Sequence, residues 1–352
     1  MKTSNTTFCY PSKVIVFLLL SSSLCLNGQW AWMGGSQSTG NLGNYGTKGV
    51  PSINNMPRAR YEAAQWTDKN GNFWLWGGQV ISSPSSYLSD MWRYNPSTGE
   101  WTWMSGSSGA NATAVFGTQG VPSVNNTPPA SHCEATWVDT SGNFWLFGGD
   151  QYNDLWRYNP LTSEWTWMKG TQTGVSGNWG QKEVPATANI PPKTSEGCAT
   201  WITLDNSLWF YGGSSWPNLW GTLWRYNVAS NRWTWMSGSD MPNTPAVYGT
   251  KGVAHPFNTP GGRQTFASWK DNLERFWLYG GSIFDGSAGL NKNDLWMYDP
   301  ESNMWTWMEG DTGTGYPGNF INKCEEGEIR GGNENKTGWV DRKGNLWTWG
   351  GG

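Results

Sequence analysis

Charge is scarce in this chain. Only 14% of its 352 residues are Asp, Glu, Lys or Arg, and the net charge is −3. No basic stripe, RNA-recognition signature or zinc-finger spacing occurs, which argues against a nucleic-acid partner. Histidine is scarcer still: His132 and His255 are the only two. They sit in different repeat contexts, so a copper centre built on imidazoles is not expected. No nucleophile–base pairing can be read along the chain, and no catalytic residue, metal-ligand set or cofactor is assigned from it. Long apolar runs are absent apart from one near the start.

That run reads as a secretory signal over residues 1–28. Lys2 and Lys13 form a positive flank, Val14–Leu26 is apolar, and polar Asn27–Gly28 follow. The apolar part is too short to span a bilayer. An uncleaved signal anchor is the other reading, and no other segment could span a membrane. The mature chain is therefore expected to be secreted. It keeps Cys133, Cys198 and Cys324. An oxidising compartment permits a Cys133–Cys198 disulfide. Their offsets from the following Trp137 and Trp201 differ by one, which leaves their facing open. Asn111, Asn125 and Asn335 begin Asn-x-Ser/Thr sequons and are candidate glycosylation sites.

What the chain has in abundance is tryptophan and glycine, 29 and 47 residues. These residues recur. An aromatic run ends in Gly-Gly at Gly77, Gly148, Gly212, Gly280 and Gly350, and Trp-Met falls at Trp32, Trp103, Trp167, Trp235 and Trp307. Both markers step by about 64–72 residues, the sign of tandem units. Each unit reads as four short strands. In the first, strand a is Arg60–Thr67, b is Phe73–Trp76, c is Met91–Tyr94 and d is Trp101–Met104, with Asp68–Gly71 and Asn95–Gly99 as turns. The Trp-Thr-Trp order puts both indoles of strand d on one face. The unbroken aromatics of strand b require burial on both faces.

The run Asn153-Asp154-Leu155-Trp156-Arg157-Tyr158-Asn159-Pro160 followed by Trp165, repeated from Asn293 to Trp305, resembles the kelch repeat of galactose-oxidase-like β-propellers. The resemblance covers about residues 30–352 and implies an all-β propeller of four-stranded blades over residues 29–352, without the copper site. It implies little about function, because such propellers serve as enzymes, scaffolds and binding modules. Five units are visible, and the last stops after its Gly-Gly with no strand c. Trp30–Met33 reads as a strand d that could be lent to that last blade. The chain is expected to continue to further blades, or else to close as a strained five-blade ring.

In a four-strand meander the b–c and d–a loops share one rim. Both sets are longer or more variable than the turns opposite, so recognition is expected there. The d–a loops repeat Tyr45-Gly46-Thr47-Lys48-Gly49-Val50, with Phe116, Trp179 and Tyr248 at the aromatic position. These loops either pack one unit onto the next or present a ring of aromatic platforms to sugars. Strand a should line the axis, making Arg60, Glu62, His132, Glu134, Glu196 and Arg263 candidate channel residues. Glu62, Glu134 and Glu196 are read as near-equivalent positions. The expected function is a secreted binding module for protein or glycan. A sugar isomerase or lyase using channel Glu and Arg is the alternative.

Overall fold

In the computed structural model, residues 32–81, 84–149, 152–174, 176–286, 289–315 and 336–350 are described. The signal segment, Cys324 and Asn335 lie outside them. The chain divides into a short unit, Met1–Gly34, and a main unit, Gly35–Gly352. Of the stretch expected as an opening strand, Trp32 and Met33 are described. They are exposed and belong to no strand. A lone strand d has no strand c beside it to complete a ladder.

The described residues form strands and no helix. Sheet I contains β1 (Ala64–Thr67) and β2 (Phe73–Trp76). The ribbon β3 (Gln79–Val80) and β4 (Ser86–Tyr87) follows, then β5 (Asp90–Asn95) and β6 (Glu100–Gly106) complete the sheet. Sheet II contains β7 (Ala135–Val138), β8 (Phe144–Phe147), β9 (Leu155–Asn159) and β10 (Glu164–Lys169). Sheet III contains β11 (Cys198–Ile202) and β12 (Ser207–Gly212). A second ribbon, β13 (Ser214–Ser215) and β14 (Asn218–Leu219), precedes its β15 (Leu223–Asn227) and β16 (Arg232–Ser237). Sheet IV contains β17 (Ala267–Lys270), β18 (Phe276–Phe284), β19 (Gly289–Asp299) and β20 (Met304–Glu309). A two-stranded piece, β21 (Lys336–Val340) and β22 (Leu346–Gly350), comes last. Every four-stranded sheet is an antiparallel meander in chain order.

The sheets pack face to face in sequence. One cluster joins Trp66 and Trp74 of sheet I to Phe144 and Tyr158 of sheet II. A second joins Trp145 and Phe147 to Phe210 and Trp224 of sheet III, and a third joins Trp201 and Trp209 to Phe276 and Trp296 of sheet IV. Interior b strands are consequently buried on both sides, as all of Phe144–Phe147 shows. Offset and edge-on ring pairs fill these interfaces, for example Trp201 stacked on Phe276 at 4.6 Å. Such pairs add about 0.5–1.5 kcal/mol each beyond simple burial. Hydrogen bonds also cross between sheets. Trp137 Nε1 donates to the Trp209 carbonyl at 2.9 Å, and Trp201 Nε1 to that of Trp269 at 2.8 Å.

The repeated d–a loops resolve as packing devices. Each folds onto the outer strand of the sheet that follows it, shielding an edge that would otherwise offer unpaired backbone groups. In sheet I, Gly49 N donates to Trp103 O and Ser52 N to Trp101 O. The Asn55 side chain donates to both Val50 O and Trp101 O at 2.9 and 3.0 Å. Asn126, Asn189 and Asn258 repeat this clamp on Trp165, Trp233 and Trp305. Gly46 sits at φ 58° against that amide, and a Cβ there would come within 2.3 Å of Asn55 Oδ1. Glycine is therefore the residue the loop can accept at this point.

Candidate functional site

Strand a is shorter than its sequence promised. Arg60–Ala63, expected within it, precedes β1, because the chain turns left-handed at Glu62 with φ 53°. The same break recurs at Cys133 (φ 59°), Gly197 (φ 71°) and Thr265 (φ 55°). These four positions are the true equivalents, each two residues before the alanine at the start of strand a, which is its first residue in sheets I, II and IV and its second in sheet III. Glu62, Glu134 and Glu196 are therefore not equivalent: they occupy three successive positions of the repeat. Neighbouring breaks are stitched together, with Cys133 N donating to Glu62 O and Thr265 N to Gly197 O.

Both arginines of the expected channel set are tied up in buried ion pairs. Arg60 makes a two-pronged contact with Asp90 at 2.5 and 2.7 Å and also donates to Gly77 O. Arg263 grips Asp294 at 2.7 and 2.9 Å and donates to Gly280 O. Tyr45 and Tyr248 donate their hydroxyls to the same two aspartates. Trp92 and Trp296 add their indole N–H. The aromatic residues of the d–a loops thus serve packing. Tyr45 wedges between Trp92 and Trp103 at 4.9 and 5.1 Å, and Phe116, Trp179 and Tyr248 do likewise against their own sheets.

Sheet II keeps the aspartate as Asp154 but has Ser131 where the arginine stood and Phe116 where the tyrosine stood. Asp154 accepts from Trp156 Nε1 at 2.6 Å. Burial pushes its carboxyl up to about 7. Glu134 is buried nearby, accepts from Ser131 Oγ, and is likewise pushed up to about 7 by burial.

Glu62 and His132 meet at the boundary of sheets I and II, while Glu196 precedes β11 of sheet III, its carbonyl accepting from Ser214 N. His132 is buried, its ring stacked on Tyr87 at 5.0 Å and its Nε2 3.7 Å from Glu62 Oε2. Cys133 lies beside them, and the donor atoms of Glu62, His132 and Cys133 all fall within 4.8 Å of one another. Burial raises the Cys133 thiol, and its hydrogen bond to Glu62 and the charges of Glu62, Glu196 and Glu134 raise it further. Cys133 and Cys198 are free thiols, so the expected disulfide between them is not formed. Cys198 lies within β11, whereas Cys133 sits at the left-handed break before β7.

Two cavities open on the face that carries the b–c and d–a loops. The larger, about 630 Å³, is lined by Tyr87, Asn111, Phe116, Ser131, Tyr152 and Gln172 among others. The smaller, about 480 Å³, lies at the corresponding place between sheets III and IV and is lined by Asn243, Tyr248, Phe284, Lys292 and Thr312 among others. Asn111 and Asn243 occupy matching positions, as do Phe116 and Tyr248, and Tyr152 and Lys292. Trp216, 66% exposed, meets Phe284, a wall of the smaller cavity, edge-on at 5.3 Å. Sequence reasoning missed Trp216 and the cavities. A Trp-Pro inside a b–c loop, outside every repeated marker, was the available signal. Of the sequons, Asn125 is exposed. Asn111 is also exposed, but its side chain is engaged with Tyr87 N and Ser86.

No family model matches the chain, and no curated protein matches it. Among solved structures it is similar to the one titled "Structure of YjhT". The TM-score is 0.52 at 15% identity, over 84% of this chain and 79% of the other. At that identity the likeness concerns the fold alone. Together with the four-stranded antiparallel sheets it is compatible with a kelch-like propeller.

Proposed function

We propose that this chain is a secreted kelch-type β-propeller that binds a protein or glycan ligand through the rim of its b–c and d–a loops. The observation that carries the reading is the pair of corresponding cavities, about 630 and 480 Å³, on the face where those loops gather. Each combines aromatic walls with a few polar groups, the makeup of small-ligand sites. The exposed Trp216 supplies a flat apolar surface of the kind that covers a sugar face, against Phe284, which lines the smaller cavity with Lys292 and Asn243. Buried Arg60 and Arg263 hold the scaffold and are not available to a ligand. Screening the secreted protein on oligosaccharide and protein arrays tests the reading. A hit should weaken by tenfold or more on Trp216→Ala or Tyr152→Ala, and binding indifferent to both substitutions would place the ligand elsewhere.

A second reading, turnover of a sugar by an isomerase- or lyase-type reaction, is favoured by one observation. Glu134 is held near pH 7, where a carboxyl can both give and take a proton. Its test is Glu134→Gln, which should abolish turnover of any sugar found to react while leaving binding at the rim in place.

A further inference from the structure

We propose that Glu62, His132 and Cys133 form a zinc site at the junction of sheets I and II. The first support is geometric. Their donor atoms lie within 4.8 Å of one another, and His132 Nε2 stands 3.7 Å from Glu62 Oε2. That separation is too long for a hydrogen bond. It matches the edge of a tetrahedron around an ion with bonds of about 2.0–2.3 Å, roughly 3.3–3.8 Å.

The second support is the state of the imidazole. His132 is 7% exposed, and its Nδ1 is buried with no hydrogen-bond partner among the described residues. A buried polar ring is normally anchored by hydrogen bonds. This one is anchored by Tyr87 stacking and otherwise faces a carboxylate. The third support is charge. The Glu62 carboxylate stands beside the thiol and the imidazole, while Arg60 is committed to Asp90. A dication bound by one thiolate and one carboxylate neutralises the group.

The donor set selects the metal class. Imidazole nitrogen, thiolate sulfur and carboxylate oxygen suit zinc and disfavour magnesium or calcium, which take oxygen ligands. Three protein ligands leave a fourth position for water. The left-handed break at Glu62 and Cys133 recurs at Gly197 and Thr265, so it places the two donors side by side as a feature of the repeat. On binding, the S–H bond of Cys133 breaks, a zinc–sulfur bond forms, and the proton leaves to solvent.

The test uses the purified chain, stripped with chelator and retitrated with zinc, and separately with cobalt as a spectroscopic probe. The expected result is one zinc per chain and a thiolate-to-cobalt charge-transfer band. Cys133→Ala should remove the band. Cys133→Ala, His132→Ala and Glu62→Gln should each weaken zinc by more than about 100-fold, since even outer-shell partners cost ~10–100-fold. Cys198→Ala should change neither readout. Alkylation of Cys133 in the unmodified protein, with and without zinc, guards against variants that fail to fold, and zinc should slow it. Absence of stoichiometric zinc, a band that survives Cys133→Ala, or alkylation unchanged by zinc overturns the proposal.

Discussion

Sheets II and IV bury the same aspartate at the same place and treat it in opposite ways. In sheet IV, Asp294 receives two hydrogen bonds from Arg263, one from Tyr248 and one from Trp296. Its carboxyl is held below the usual range: Arg263 and the other donors outweigh the upward push of burial, the largest single effect. In sheet II the arginine has become Ser131 and the tyrosine Phe116. Burial then acts on Asp154 with little opposition and lifts it to about 7. Sheet III removes the problem altogether, with Thr222 at the aspartate position and Ser195 at the arginine position. Sheet I repeats sheet IV, with Arg60 and Tyr45 serving Asp90. The fold therefore tolerates a paired charge, an unpaired carboxyl or no charge at one site. What it requires there is volume and hydrogen bonding rather than an ion pair.

The sharpest way to break the comparison is Arg263→Met. It leaves Asp294 buried and unpaired, and the expected loss is about 3–5 kcal/mol in urea unfolding. A loss below about 1 kcal/mol would mean that sheet IV already tolerates what sheet II does. Acidity should separate the two sheets next. Asp154 and Glu134 start from 3.8 and 4.5 and rise to about 7 when folded. Their contribution is fully present below about pH 4 and is lost as pH rises through about 7. Asp294 is depressed, so its contribution is present above its ordinary value and is lost as pH falls below it. Denaturant midpoints should therefore peak near pH 4. An Asp154→Asn/Glu134→Gln double variant should lose the decline between about pH 4 and 7, which is on the order of a few kcal/mol. A profile unchanged by the double substitution would remove sheet II from the account.

A smaller effect is expected from Tyr248→Phe, which gives sheet IV the phenylalanine of sheet II. It should cost about 1.5–3 kcal/mol, the range for a hydrogen bond to a charged group, again read from denaturant midpoints. The smallest is expected from Asp154→Asn at pH 8. An amide of the same shape keeps the Trp156 contact and removes a buried charge, so stability should change by less than about 1 kcal/mol or rise. A loss as large as that from Arg263→Met would show that Asp154 has a cationic partner after all.

Much of this architecture was legible in the residues. The Gly-Gly and Trp-Met markers located strands b and d to within a residue or two, except that β18 runs on past its Gly-Gly to Phe284, because aromatic alternation and Asn/Gly turns act over a few neighbours. Strand a was overdrawn at Arg60–Ala63, since nothing local announces a left-handed Glu62. The clamping Asn55, Asn126, Asn189 and Asn258 were readable in principle, standing nine residues after the loop glycine each time. Their role emerged only when the loop lay on the next sheet.

The candidate site was legible in parts and not as a whole. Glu62, His132 and Glu134 were singled out as polar residues near the axis, and Cys133 as half of a disulfide. That Glu62 meets Cys133 follows from a backbone hydrogen bond between repeats about 70 residues apart. That the arginines are withdrawn follows from Asp90 and Asp294, which lie on other strands.

Composition and periodicity were enough to settle an all-β chain of repeated four-strand units, because the alternation of buried aromatics and turn residues is a short-range code that each segment carries alone. Which polar side chains share a space, which are neutralised and which face a cavity belonged to the packing of one sheet on the next. Those contacts join residues far apart in the chain, and burial changes their chemistry in ways no single segment can record.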